Sequence, residues 1–380
     1  MRSRSGIDLA TRDSSEEAKS LASILMVDSI LAPVTHVLPL TTIRRERLLP
    51  VSGRVLVRKG QKLKPADILA EANLTPQHLM LDVARGLGMK AERADEHIQR
   101  KAGEPVSEGD IIAGPVGWAS RVVRAPRSGR VILTGKGKVF LEVESPPFQL
   151  RAGMPGVVLS LVAERGAVIE TSGALVQGVW GNGGIDIGLL HVLISKPEDV
   201  LTADRLDVSL RGSVILAGFC GEAGVLRTAA ELPLRGLILA SIAASLVPIA
   251  ARIPFPIVVL EGFGLLPMNT VAFHLLATNE RREVALNAEP YDPYANTRPE
   301  IVIPLPVTDM PPEPREATVF SLNQRVRVLR APCHSQVGTI IALPYGLEVF
   351  PSGVRAPAAQ VRLENGTETF LPLANLEVLE

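Results

Sequence analysis

The spacing of hydrophobic and polar positions changes along the chain, and each change predicts a different kind of element. Between residues 46 and 150, short apolar–polar alternations such as Val55, Val57 and Val131, Leu133 predict half-buried strands joined by glycine turns. Two segments echo each other as hairpins, SGRVLVRKGQKL (Ser52 to Leu63) and SGRVILTGKGKVFL (Ser128 to Leu141). A second echo pairs LKPADILAEA (Leu63 to Ala72) with VSEGDIIAG (Val106 to Gly114), each an apolar residue, turn residues, then Asp67 or Asp110 before an aliphatic strand. Between them, Leu79, Val83 and Leu87 form one apolar stripe, which predicts a helix within Thr75 to Lys101. Residues 156–195 alternate again, as a β meander with turns at Glu164-Arg165-Gly166 and Ser172-Gly173.

From Ser213 the period changes to an apolar run, a glycine-rich turn and a helix, three times over: SVILAGFCGEAGVLRTAAEL, GLILASIAASLVPIAAR and PIVVLEGFGLLPMNTVAFHLLA. Unbroken Val, Ile and Leu runs suit strands covered on both faces of a parallel sheet, and EVALNA (Glu283 to Ala288) supplies a fourth. The proline-rich stretch from Glu289 to Ala317 reads as an extended arm or linker. The tail returns to short strands at Arg325 to Leu329, Val337 to Ala342, Ala358 to Leu363 and Thr367 to Leu371, with Asn365-Gly366 as a hairpin turn, closing a small β barrel. Ser14-Ser15-Glu16-Glu17 fits the start of a short N-terminal helix.

Composition narrows the functional classes. With 40 Lys+Arg against 40 Asp+Glu the chain has no overall charge with which to grip nucleic acid or anionic lipid. The balance conceals a division: residues 44–144 hold 19 basic and 12 acidic side chains, whereas 145–320 hold 12 and 18. An aromatic content of 4% leaves few rings for base stacking. Two distant cysteines, Cys220 and Cys333, form no disulfide framework and point to a reducing compartment, the cytoplasm. No secretory leader is expected, and the uncharged stretch Gly236 to Ala251 is too short and too interrupted by prolines for a membrane span.

SGRVLVRKGQKLKPADILAEA and RKAGEPVSEGDIIAG resemble the barrel-sandwich hybrid of biotinyl and lipoyl carrier domains, over about residues 46–145. The resemblance implies a docking module. Neither Lys59 nor Lys136 sits in the setting of the family's modified lysine, so no attached cofactor is expected. The tail is similar to a KOW-type, SH3-like barrel over residues 321–380, through RVRVLRAPCHSQVGTI and PLANLEVL. That resemblance implies RNA or protein partners, and 5 Arg against 5 acidic residues with no Lys favours protein. The expected architecture is therefore a multidomain α/β plus β chain. It comprises an N-terminal segment (1–45) with a short helix, a barrel-sandwich-like domain (46–150), a β meander (151–200), a central parallel α/β sheet (201–290), a proline-rich linker (291–320) and an SH3-like barrel (321–380).

Right-handed crossovers would bring the three glycine-rich turns to the carboxyl edge of the sheet, where open α/β sheets bind ligands. Gly218, Cys220, Gly221, Ser241, Glu261, Gly262 and Gly264 collect there as a candidate site for a small anionic or nucleotide-like ligand. Cys220 is placed as a nucleophile would be, and Glu261 is a lone carboxylate in an apolar strand end, a candidate general base. Neither has a neighbouring histidine, and GFCGEAG matches no phosphate-loop pattern. The loop Gly178 to Gly184, with Trp180 and Asn182, is a second anion-cradle candidate. Arg121, Arg124, Arg127 and Arg130, at every third position, form a candidate basic patch for phosphate or an acidic partner, although an extended chain would turn them in different directions. The six histidines are scattered, so no metal site is expected. These features favour a non-enzymatic adaptor that docks a protein partner. The alternatives are a ligand sensor or enzyme at the sheet edge, and RNA, ribosome or transcription-complex association through the tail.

Overall fold

The computed structural model describes residues 30–380 apart from 75–76, 119, 144–145, 293–296 and 316, so the helix expected near Ser14 lies outside the described residues. Strands dominate. An eleven-stranded sheet holds four parallel neighbours in chain order, Ile185–Val192, Ser213–Cys220, Gly236–Ile242 and Ile257–Phe263. Their side chains alternate between two apolar layers, as the strand period requires. Val214, Leu216, Ile238, Ala240, Val258 and Leu260 pack with Ala272 and Leu276 of the helix Thr270–Thr278. Ile215, Ala217, Leu237, Leu239, Ile257 and Val259 pack on the other face with Val225, Leu226 and Ala229 of the helix Ala223–Glu231 and with Ala250 of Val247–Ala250.

Stepping sideways in one direction with right-handed crossovers puts the first two helices on the same face. The helix after Phe263 lies on the opposite face and carries the chain back across the sheet. The strand Glu283–Asn287 is antiparallel and lies beyond Ile185–Val192, which corrects the expected fourth parallel strand. Ile185–Val192, expected as part of the meander, takes the parallel position instead.

The sheet continues through Glu300–Pro304 to the long strand Gly166–Gln177, which pairs with Val37–Leu48 along its length. The stretch read as a linker thus contains a strand, because Ile301, Val302 and Ile303 are fully buried between two antiparallel neighbours. The boundary placed near residue 45 falls inside Val37–Leu48.

In the N-terminal β region, Gly129–Gly135 and Lys138–Val143 form the second expected hairpin. The first does not form: Arg54–Val55 pairs with Ile68–Ala72, while Lys62–Leu63 pairs with Gly156–Val162. The expected helix within Thr75 to Lys101 is also corrected. Gln77–Asp82 is a strand on Lys138–Val143, followed by the short helices Val83–Leu87 and Ala91–Asp95. Leu79 and Leu81 turn to one face in strand period, and Gly88 at φ 73° ends the first helix after little more than a turn. The second echo is structural. Asp67 accepts from the Lys64 amide at 2.8 Å and Asp110 from the Ser107 amide at 3.0 Å, closing the same turn before Leu69 and Ile112, both fully buried.

Residues 317–379 and Leu31–Thr35 build a seven-stranded sheet around Val326, Ile340, Val361 and Val378. The tail strands run Arg325–Val328, Val337–Ala342, Ala358–Leu363 and Glu368–Pro372, with Gly366 at φ 84° in the expected hairpin. Among the described residues no pairing closes this sheet into the expected barrel. Instead Leu31–Thr35 extends it by pairing in parallel with Leu376–Leu379. No described helix is long and apolar enough to cross a membrane, and Gly236 to Ala251 divides into a buried strand and short helical turns.

Candidate functional site at the carboxyl edge of the parallel sheet

The parallel strands bring the sheet-edge candidates to neighbouring positions, and the C-terminal sheet meets that edge at Leu260 and Glu261. Glu261 is buried near the end of Ile257–Phe263. Its Oε1 accepts from the Asn269 backbone N–H at 2.9 Å and from Asn269 Nδ2 at 2.6 Å. Asn269 in turn caps Thr270–Thr278 by accepting from the Ala272 amide at 2.8 Å. Glu261 Oε2 accepts from Arg327 Nη1 at 2.7 Å, and the same nitrogen reaches the Leu260 carbonyl at 3.2 Å.

Arg327 is contributed by the C-terminal sheet and is 3% exposed. Its Nε donates to Glu377, and its Nη2 lies against the same carboxylate as an ion pair without hydrogen-bond alignment. Glu377 Oε2 accepts from Thr35 Oγ1 at 2.9 Å, and Arg298 Nη1 donates to Thr35 Oγ1 at 2.7 Å. Burial opposes the guanidinium charge, yet Glu261 and Glu377 together hold Arg327 protonated above its ordinary range. At the rim, Arg325 and Thr270 both meet Glu364, at 3.0 and 3.1 Å.

Gly218, Gly221 and Ser241 are engaged by the chain itself. A Cβ at Gly218 would lie 1.7 Å from the Asp199 carbonyl oxygen, and one at Gly221 would lie 2.7 Å from the Phe219 ring. Ser241 donates to the Leu266 carbonyl at 2.7 Å and accepts from the Leu266 amide at 3.1 Å. Gly262 and Gly264, at φ 127° and 106°, supply backbone conformations that side chains disfavour. Burial pushes the Cys220 thiol up to about 11, so it is neutral near pH 7 and unsuited to attack as a thiolate. A cleft of about 340 Å³ lies at this edge between Glu261 to Phe263 and Arg327 to Arg330.

The two other candidates resolve in the same direction. In the glycine loop, Asn182 Nδ2 donates to the Phe255 carbonyl at 2.9 Å and its Oδ1 accepts from the Ile257 amide at 2.9 Å. Trp180–Gly181 is thereby fixed as an edge strand. The four arginines have separate surroundings. Arg121 lies over Gly88, Arg124 donates to the Gly109 carbonyl at 2.8 Å, Arg127 to Gln77 at 2.9 Å, and Arg130 sits between Glu142 and Pro105. No group of residues able to hold a metal ion occurs among the described residues.

Arg327 is not singled out in the sequence, and its burial against the parallel sheet is what reveals its role. A larger groove of about 900 Å³ also escapes sequence reading. It runs between Arg44 to Leu48 and Phe148 to Met154, and its arginines are paired: Arg45 with Glu300 at 2.6 Å and Arg47 with Glu289 at 2.5 Å.

At one end of this groove His36 is 4% exposed, with Nε2 3.0 Å from the Arg315 carbonyl. A carbonyl only accepts, so Nε2 carries the proton. Burial, reinforced by Arg45, holds the imidazole below its ordinary 6.5. The unfolded chain therefore binds this proton first as pH falls, and stability should decline below pH 6.5 until the folded ring also titrates. Urea midpoints at pH 7.5 and 5.5 check this prediction: His36→Gln should lessen the difference between them.

No family model and no curated protein matches the chain.

Proposed function

We propose that the chain is a non-enzymatic adaptor that docks protein partners through its peripheral β regions. The observation behind this reading is the contrast between a sheet edge engaged internally and an apolar surface left uncovered at the C-terminal hairpin. Glu348–Val349 pairs with Arg355–Ala356, and around this small ladder Tyr345, Leu347, Val349 and Val354 are each more than half exposed. Exposed apolar residues concentrated in this way characterise interaction sites. A two-stranded hairpin is marginally stable alone and gains from a partner.

Finer readings join this proposal. The repeated Asp67 and Asp110 turns support a barrel-sandwich-like module. The four parallel strands with helices on both faces support a central α/β domain. The order of the tail strands fits a KOW or SH3-like ancestry, and two unpaired cysteines fit a reducing, cytoplasmic setting.

The test is capture from the native host with the intact chain and with Leu347→Ser/Val349→Ser/Val354→Ser. The adaptor reading predicts a stoichiometric protein partner lost at least tenfold in the triple variant, with the melting temperature unchanged. Saturable binding of a metabolite at the sheet edge, with no partner, would contradict it.

A further inference from the structure

The groove beside Val37–Leu48 differs from the sheet edge because its walls include unpaired strand edges. Val37–Leu48 pairs with Gly166–Gln177 on one side and has no strand on the other among the described residues. Phe148–Arg151, across the groove, pairs only with Ile68–Ala72 among the described residues. Unpaired edges of this kind are templates for a further strand.

The chain itself already uses the upper half of this edge. The Thr42 amide donates to the Pro312 carbonyl at 3.3 Å, Thr41 Oγ1 donates to the same carbonyl at 2.8 Å, and Thr42 Oγ1 to that of Pro311 at 2.5 Å. Arg44 Nη1 holds Glu313 of the same arm at 2.7 Å. An extended, proline-containing, acidic segment is thus accommodated against this strand.

The lower half continues the pattern without an occupant from the described chain. Successive main-chain groups alternate in direction along a strand, so Arg44, Glu46 and Leu48 aim their N–H and C=O groups the same way as Thr42. The Arg44 carbonyl is taken by Arg45 Nη1 at 2.8 Å, which leaves Glu46 and Leu48 as the pairing positions. Leu48 and Phe148, 37% and 41% exposed, line the groove as apolar contacts.

We propose that this groove binds an extended apolar peptide segment of a partner protein by adding it as a strand along Arg44 to Leu48. The inference rests on the adaptor reading and gives it a second, chemically defined surface. Main-chain pairing supplies affinity in this mode and side-chain contacts supply selectivity. Arg44 is already engaged by Glu170 and Glu313, so selectivity falls to an apolar residue seated between Leu48 and Phe148.

The experiment selects phage-displayed random nonapeptides on the intact chain and measures the winners, fluorescein-labelled, by anisotropy. Glu46→Pro removes one outward N–H on an edge strand, where proline is tolerated, and Glu46→Ala retains it. The proposal predicts winners rich in aliphatic residues, weakened at least tenfold by Glu46→Pro and by Phe148→Ser but less than twofold by Glu46→Ala. Equal effects of the two Glu46 variants would overturn strand addition, as would failure to select any peptide. Self-association of the chain abolished by Glu46→Pro would assign the edge to a second copy instead. Loss of peptide binding with retained hairpin-dependent capture would leave the adaptor reading standing without this site.

Discussion

Replacing Arg327 by alanine is expected to destabilise the chain by about 3–5 kcal/mol, the cost of leaving a buried charge without its partner. Glu261 and Glu377 approach this one guanidinium from different sheets, and both carboxylates are buried. Removing it leaves two desolvated carboxylates facing each other across a space that its side chain filled. The combined variant Glu261→Gln/Arg327→Met/Glu377→Leu removes the charges together and should recover most of the loss, since buried ion pairs often contribute little net stability over apolar replacements. Urea denaturation of the single and combined variants measures both effects. If Arg327→Ala cost less than about 1 kcal/mol, the buried-charge account would be wrong.

Gly218→Ala is expected to cost about 3 kcal/mol, at the upper end for overpacking a close-packed interior. The added methyl would meet the Asp199 carbonyl oxygen at 1.7 Å, and the same carbonyl accepts from the Phe219 amide at 3.0 Å. Backbone cannot yield there as a flexible side chain would. The strand Ser213–Cys220 would separate from the bridge that Val200 makes to Phe219. A thermal melt provides the measurement. Loss of stability identifies Gly218 as a packing residue, whereas an unchanged melting temperature with altered ligand response would return it to the candidate ligand site.

The parts of the fold that were legible in the sequence are those where local period and global position agree. The runs in Ser213–Cys220, Gly236–Ile242 and Ile257–Phe263 are buried on both faces and lack alternation for that reason. Asp67 and Asp110 close their turns with side-chain bonds only three residues long, which local pattern captures well. Pairing between distant segments was not legible. Glu283–Asn287 has the composition of any buried strand, and its direction depends on the edge of the sheet from which the chain re-enters after the preceding helix. Leu31–Thr35 joins a sheet built from residues some 280 positions later, a partnership no local pattern encodes.

The candidate site shows the same division. Glu261 stood out as a lone acid in an apolar strand, and it is indeed buried with a partner. That its partner is Arg327, from a separate sheet, could not be read from spacing. The glycines at 218 and 221 signal close approach, but sequence does not distinguish approach of the chain's own Asp199 and Phe219 from approach of a ligand. The arginines of the groove, Arg45 and Arg47, lie in a charge-rich strand whose polar positions look solvated until Glu300 and Glu289 are brought beside them.

Through Arg327 the C-terminal sheet is joined to the parallel sheet at the carboxyl end of Ile257–Phe263. Hydrogen exchange of the intact chain and of Arg327→Ala tests this most directly. Segments covering Ile257–Phe263 and Arg325–Val328 should be protected together in the native chain and lose protection together in the variant. Full protection of Ile257–Phe263 while Arg325–Val328 exchanges freely, in either protein, would contradict it.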